Sequence, residues 1–196
     1  MLKLVGDESL RSLFRRSNRL MLLLWRLGLG PYLSSDAGGH IMVLITRGHR
    51  SGLRRQAPVN FARDDGVVYC IAGFGPRTHW YRNLLAAPAC EVWLPDGWWA
   101  GTAEAVADPD ERLAILRRVL IRSGFAAPLF EGIYPAALSD EELRRLAERY
   151  EVVRIRLDAR RSGPGGPGDL AWVWPLLGVA AAVALACRVL RRRCCR

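Results

Sequence analysis

A basic residue, a hydroxyl residue and a glycine follow one another at Arg50, Ser51 and Gly52, between two apolar stretches. A second arginine, Arg55, follows closely. A guanidinium group binds phosphate or carboxylate through paired, charge-assisted hydrogen bonds. The Ser51 hydroxyl adds a further polar group, and Gly52 lets backbone N–H groups approach a phosphate. This chemistry predicts a site for an anionic ligand. The alternative is that both arginines simply belong to a solvated hairpin turn.

A glycine-rich stretch and an aromatic helix start follow the basic residues. Small residues let a flat ring approach the backbone, so this stretch together with the basic turn favours an anionic ligand that contains a ring. Trp80 is interpreted as a side chain that anchors the core, in preference to one that stacks on the ring. Asn83 is interpreted as a residue that caps or braces the glycine-rich loop. His49 and His79 are candidate proton donors. The residues expected to border the ring are Ala72, Gly73, Phe74 and Gly75.

Short apolar stretches with period-two alternation, separated by turn residues, predict six β-strands linked mainly by hairpins. The strands are expected at 41–46, 55–63, 67–72, 90–94, 98–106 and 152–157. Helices are expected at 80–87, 108–123 and 139–150, the last with a capping box formed by Ser139 and Glu142. The pattern predicts an α+β fold, a small and mostly antiparallel β-barrel with flanking helices. No G-x-G-x-x-G joins a strand to a helix, which argues against a Rossmann domain.

The chain is basic, with a formal net charge of +10 over 196 residues. Its arginines form several separate clusters, and no motif of a known nucleic-acid-binding fold is present, so no nucleic-acid partner is expected. The five cysteines match neither a zinc site nor a C-x-x-C motif, so no metal is expected. Cys70 and Cys90 lie in apolar strand patterns and are predicted to be buried thiols.

Seventeen uncharged residues at 171–187, with tryptophans at the start of the run and arginines after it, predict a transmembrane helix. The protein is therefore expected to be anchored in a membrane with its folded domain in the cytoplasm. The basic, amphipathic N-terminal helix either lies on the membrane surface or covers the barrel. The predicted parts are a helix at 1–35, the cofactor-binding barrel at 36–158, a Gly/Pro linker at 159–169, the span at 170–190 and a basic tail at 191–196.

The order and spacing of three segments resemble the deazaflavin-dependent nitroreductase family, which binds coenzyme F420 on a split β-barrel related to FMN-binding oxidases. Where that family reads T-x-G-R-x-S-G, this chain has Thr46-Arg47-Gly48-His49-Arg50-Ser51-Gly52. Where the family has a glycine-rich loop and W-Y-x-N-L, this chain has Gly73-Phe74-Gly75 and Trp80-Tyr81-Arg82-Asn83-Leu84.

The resemblance implies a reductase in which reduced F420 passes a hydride to an apolar acceptor at the membrane, such as a quinone or a nitro or enone compound. The cofactor supplies the hydride chemistry, so no catalytic side chain is assigned. Arg54 points either toward the cofactor or away from it, because neighbours on a strand face opposite sides. Cofactor-binding residues are expected at Arg50, Ser51, Gly52, Arg54, Arg55, Pro58, Asn60, Ala72, Gly73, Phe74, Gly75, Trp80 and Asn83.

The nearest candidates for contacts with the acceptor are Phe130 and Tyr134. Two other functions remain open from the residues alone. One is a non-catalytic, membrane-tethered binder of a flavin-like anionic cofactor, and the other is an FMN or haem enzyme on the same barrel. A homodimer is a further possibility, since related barrels often form dimers.

Overall fold

The computed structural model describes residues 7–35, 38–124 and 134–194. Within these ranges, six strands form a closed antiparallel barrel in the order β1-β2-β3-β6-β5-β4, and pairing of β1 with β4 closes it. The strands are β1 (Ile41–Arg47), β2 (Arg54–Asp64), β3 (Val67–Ala72), β4 (Ala89–Leu94), β5 (Gly97–Ala105) and β6 (Glu151–Arg161). The hairpin between β2 and β3 turns at Asp65 and Gly66, whose φ angles are both positive, as a tight two-residue turn requires.

Helices flank the barrel and fill the connections between strands. Asp108 caps α4 by accepting a hydrogen bond from the backbone N–H of Glu111 at 2.7 Å, and Ser139 and Glu142 form the predicted capping box of α5. The helices are α1 (Asp7–Arg26), α2 (Gly30–Leu33), α3 (His79–Ala86), α4 (Pro109–Arg122), α5 (Asp140–Ala147) and α6 (Val173–Cys194), with 3-10 turns at Gly75–Arg77 and Pro135–Ala137.

Strand β1 is buried on both of its faces. Met42 and Leu44 point into the barrel interior, while Val43 and Ile45 point outward and are covered by the end of α1. Trp25 of α1 is 1% exposed, and its ring centroid lies 6.4 Å from that of Trp93 on β4. The C-terminal turn of α1 therefore covers the barrel, which is one of the two roles that the sequence leaves open for this helix.

The two cysteines of the strands are buried in the barrel interior, as predicted. Burial raises the pKa of the Cys90 thiol to about 12, and its Sγ lies 3.4 Å from the carbonyl oxygen of Gly101. Burial also raises the pKa of Cys70. Thiols held in the neutral form in this way contribute packing and little nucleophilicity.

The Gly/Pro segment after the last strand is bound to the domain. Strand β6 runs to Arg161, three residues beyond the predicted end of the barrel domain at 158. The carboxylate of Asp169 accepts hydrogen bonds from Nε and Nη2 of Arg26 at 3.0 Å, and the N–H of Gly168 donates to the carbonyl of Trp25 at 3.0 Å. These contacts hold the segment against the end of α1.

The fold class predicted from the sequence is wrong because it included a transmembrane helix at 170–190. Among the residues that the structure describes, no helix has the length and apolar character needed to cross a membrane. Part of the apolar run is not helical, since the backbone turns at 167–172 and α6 begins only at Val173. The uncharged helical stretch at 173–187 is therefore about 22 Å long, against about 30 Å for a bilayer core. The membrane-anchored localisation depended on that span and is also wrong.

Candidate functional site

The end of β1 and the loop that joins it to β2 form a compact turn, here called the basic turn and comprising residues 47–53. Its shape depends on two glycines. The carbonyl oxygen of Gly48 accepts a hydrogen bond from the N–H of Gly52 at 2.7 Å. Gly52 has a φ of +65°, a conformation that favours glycine, and a Cβ at Gly48 would lie 2.6 Å from Oγ of Ser51. The turn thus exposes backbone and basic side chains at one end of the barrel.

Asn83 connects the basic turn to helix α3. Its Oδ1 accepts a hydrogen bond from the backbone N–H of His49 at 3.0 Å and lies 2.9 Å from the ring Nδ1 of the same residue. Its Nδ2 donates to Oγ1 of Thr46 at 2.9 Å. Asn83 is 4% exposed and Thr46 is 3% exposed, so this bracing pair is buried. In the structure Asn83 therefore braces the basic turn.

Arg54 and Arg55 point to opposite faces of β2. Arg55 is exposed, and its Nη2 lies 3.5 Å from Oγ of Ser51 on the basic turn. Arg54 instead donates to Oε2 of Glu91 at 2.9 Å and lies 5.8 Å from the ring centroid of Trp98, on the outer surface of the barrel. The structure therefore places Arg55 beside the basic turn and Arg54 away from it.

Pro58 and Asn60 lie four and six positions after Arg54 on β2, and both are half-buried. Residues two apart on a strand share a face, so neither points to the side on which Arg55 lies. Arg50 is exposed on the basic turn itself. Of the predicted basic residues, the structure thus brings Arg50 and Arg55 together with Ser51.

The glycine-rich stretch is only partly exposed. Ala72 is fully buried in the barrel interior, whereas Gly73 and Phe74 are exposed. Gly75 is buried with a φ of +58°, and a Cβ there would lie 2.7 Å from the carbonyl oxygen of Arg149. Gly75 therefore packs closely on backbone, and only Gly73 and Phe74 present surface at this position.

Four half-buried apolar side chains pack against the barrel interior and form what we call the apolar shelf: Ala57, Trp80, Trp99 and Leu157. Ala57 pairs with Leu44, Leu44 with Val92, and Val92 with Trp99, so one row crosses four strands. The next inward-facing row toward the basic turn pairs Thr46 with Arg55. The two rows are two residues apart, or about 7 Å. Ala57 of the shelf thus lies next to Arg55 on the inward face of β2. Trp99 lies toward the turn between β4 and β5, where Arg160 is 5.8 Å from its ring centroid and donates to the carbonyl of Asp96.

Comparison with known families indicates the chemistry of the protein. Residues 30–126, which include β1 to β5 and the basic turn, match the family model described as F420H(2)-dependent quinone reductase. The match covers 97 of the 196 residues, just under half of the chain, and over this part the chain resembles the family. It is an F420-dependent reductase, and its cofactor is coenzyme F420. No curated protein is detectably similar to the reductase in sequence.

Solved structures resemble the reductase more distantly. One titled F420 reductase is 23% identical and covers 62% of this chain and 88% of its own, with a TM-score of 0.42. An F420-H2-dependent reductase is 21% identical and covers 59% and 93%, with a TM-score of 0.43. A putative 5-nitroimidazole antibiotic resistance protein from Bacteroides thetaiotaomicron is 13% identical and covers 62% and 74%, with a TM-score of 0.43. At TM-scores below 0.5 these likenesses carry no weight for the site.

The described residues of the reductase are of the right chemistry for F420, which carries a phosphate, a glutamate tail and a flat ring with a polar edge. Arg50 and Arg55 supply positive charge at the basic turn. Two buried polar atoms near α3 and the shelf, Oγ1 of Thr78 and Nε1 of Trp99, have no hydrogen-bond partner in the described part of the chain. The indole N–H groups of Trp25 and Trp93, where α1 packs on the barrel, are unpartnered within the described residues as well, so the positive charge at the basic turn is the feature that fits F420.

Sequence reasoning missed three of the four shelf residues. Trp99 follows Trp98 in β5, and strand alternation could have shown that one tryptophan points inward and one outward. Nothing local in the sequence connects Ala57 with Leu157, which lie on different strands and pack against the same barrel interior. Of the two weak acceptor candidates, Tyr134 is exposed, and Phe130 lies outside the described residues.

Proposed function

We propose that the reductase passes a hydride from reduced F420 to an apolar, planar acceptor such as a quinone or a nitro or enone compound. The observation that carries the proposal is that Arg55, beside the basic turn, and Ala57 of the apolar shelf face the same side of β2 in adjacent rows of the barrel. A ligand with an anionic tail and a flat ring has chemistry suited to both surfaces at once. The family description, which names a quinone, supports this class of acceptor.

In this proposal the protein binds and orients, and bound F420 supplies the hydride. Arg50 and Arg55 hold the anionic part of the cofactor through charge-assisted hydrogen bonds, and Ser51 adds a hydroxyl. The backbone at Gly52 and Gly73 approaches the ligand closely because neither residue has a side chain. The shelf excludes water from the ring and gives an apolar acceptor a surface on which to stack.

The first prediction concerns cofactor affinity. Each charge-assisted hydrogen bond contributes about 1.5–3 kcal/mol, so Arg50→Ala and Arg55→Ala are each expected to weaken F420 binding by about 10- to 100-fold. Fluorescence titration of the purified protein with F420 measures this. Arg63→Ala is the matched control, because Arg63 lies at the far end of the same strand and pairs with Asp96 at 2.6 Å. Equal losses of F420 affinity in all three variants would show that the basic turn is not part of the cofactor site.

The class of acceptor is tested separately with F420H2 as the reductant. Reoxidation of the cofactor is followed by absorbance with a naphthoquinone and with its sulfonated, charged counterpart. The apolar shelf predicts a higher kcat/KM for the uncharged quinone. A higher kcat/KM for the sulfonated quinone would show that the acceptor site is not apolar, while leaving the cofactor assignment intact.

A further inference from the structure

The orientation of the Asn83 amide is determined by its neighbours. A backbone N–H can only donate, so the atom of Asn83 that faces the N–H of His49 at 3.0 Å must be the carbonyl Oδ1. A flipped amide would place two donors against each other. The opposite atom, Nδ2, is then directed at Oγ1 of Thr46, which accepts. This hydrogen-bond pattern leaves the amide with one orientation.

That orientation also determines the protonation of His49. The ring Nδ1 lies 2.9 Å from Oδ1 of Asn83, which is an acceptor, so Nδ1 must carry a proton. When the ring is neutral, Nε2 is therefore an acceptor. When the ring is cationic, Nε2 becomes a donor. Because the two ring nitrogens point in diverging directions, attachment of Nδ1 to buried Asn83 turns Nε2 away from α3.

We propose that Asn83 is a positioning residue for His49, and that the ring held in this way presents Nε2 to the anionic group bound at the basic turn. The cationic ring donates a hydrogen bond to that group and adds a positive charge beside Arg50. This role rests on the proposed function, in which the anionic part of F420 binds at the basic turn. His49 is thus an additional cofactor-binding residue whose contribution depends on pH.

The surroundings of His49 define the sign of the pH effect. Among the described residues, no hydrogen bond joins a carboxylate to the ring. The basic and histidine side chains of the basic turn, of its face of β2 and of α3 are exposed: Arg47, Arg50, Arg55, His79 and Arg82. A bound anion therefore supplies the negative charge that favours the cationic ring. By linkage, F420 binds more tightly when the ring is protonated, so its affinity is expected to be higher at acidic than at alkaline pH.

The tautomer can be measured without any ligand. Long-range 1H–15N correlation spectra of 15N-histidine-labelled protein distinguish the two neutral tautomers, and the signals of His49 are assigned by their loss in His49→Gln. The expected result is the Nδ1–H tautomer above pH 8. Asn83→Ala should release the ring to a mixture of tautomers, and Asn83→Asp, which still accepts both N–H groups, should keep it. Thr46→Val is the control, because it removes the other partner of Asn83 and leaves His49 bonded. An Nε2–H tautomer in the unmodified protein would overturn the proposal even if no variant folds.

The role in binding is measured as the F420 dissociation constant at pH 5.5 and pH 8.5. The unmodified protein should bind about 10-fold more weakly at the higher pH, as expected for the loss of one charge-assisted hydrogen bond. His49→Gln and Asn83→Ala should both lose this pH dependence. His40→Gln should keep it, because His40 precedes β1 at the opposite end of the barrel, where its Nε2 lies 3.2 Å from Nη1 of Arg122.

Two unfavourable results can be told apart. If binding depends on Arg50 and Arg55 but the pH dependence is unchanged in His49→Gln, the role of His49 is overturned and the proposed function stands. If binding does not depend on Arg50 and Arg55, the proposed cofactor site and the role of His49 are overturned together. The tautomer measurement is independent of both results.

Discussion

Gly75 shows how one residue can fit a sequence pattern for a reason that the pattern does not reveal. The glycine-rich stretch predicts that Gly75 borders the cofactor ring. In the structure Gly75 is buried with a φ of +58°, and the space that a Cβ would occupy is taken by the carbonyl of Arg149. The glycine is required there by backbone conformation and close packing, whatever the cofactor does.

This requirement predicts the effect of adding a methyl group. Gly75→Ala should destabilise the protein by about 2–4 kcal/mol, because it combines a left-handed conformation with a clash against backbone. Gly66→Ala is the matched control, since Gly66 has a φ of +78° with nothing near its Cβ position. That change should cost about 1–2 kcal/mol. Urea unfolding of both variants measures the difference, and equal losses would contradict the packing argument.

At the scale of elements, the short helix α5 has a start that can be read from four residues. Oγ of Ser139 accepts from the N–H of Glu142 at 3.3 Å, and Oε2 of Glu142 accepts from the N–H and the hydroxyl of Ser139 at 2.9 and 2.7 Å. These hydrogen bonds from Ser139 lower the pKa of the Glu142 carboxyl. The charged form of Glu142 is therefore the form that stabilises the helix start.

A lowered pKa in the folded state means that the stabilisation is present above the ordinary glutamate value of about 4.3 and is lost as pH falls below it. Glu142→Ala should therefore lower the Tm at pH 7, and the difference from the unmodified protein should shrink toward pH 3. Thermal unfolding followed by circular dichroism measures both. Glu141→Ala, in the same first turn of α5, is the control and should show a smaller dependence on pH. A Tm difference that stays constant between pH 7 and pH 3 would show that the charge of Glu142 does not stabilise the helix start.

At the scale of the whole molecule, the N-terminal helix, the barrel and the Gly/Pro segment are joined around Trp25. Its ring packs on Trp93, its carbonyl accepts from Gly168, and Gly30 leaves room for it, since a Cβ there would lie 2.2 Å from the indole. A side chain that is 1% exposed at such a junction contributes to the stability of all three parts.

Trp25→Ala is accordingly expected to destabilise the protein by about 3–5 kcal/mol, the usual effect of removing a large buried aromatic side chain. Leu20→Ala on the same helix is the control, because Leu20 is 57% exposed and its loss should change stability by less than about 1 kcal/mol. Denaturant unfolding compares the two. If Trp25→Ala were as mild as the control, α1 would not be part of the cooperative unit.

Much of the fold follows from local patterns. Alternation of apolar residues predicts the six strands, and Asp108 and Ser139 predict two helix starts. The F420 family is indicated by a resemblance in the order of the basic turn, glycine-rich stretch and aromatic helix. These features are readable because each depends on residues a few positions apart, where hydrogen bonds and side-chain direction are set by the local backbone.

The tertiary structure decided what depends on distant parts of the chain. Asn83 is bonded to His49 across 34 residues, and Arg54 is directed outward by Glu91 and by the carbonyl of Gly165, which are 37 and 111 residues away. The apolar run near the C-terminus predicted a span, but turns at 167–172 shorten its helical part. Composition records how apolar a stretch is. Only the folded backbone determines how much of it is helix, which neighbours it contacts and which side chains meet at the site.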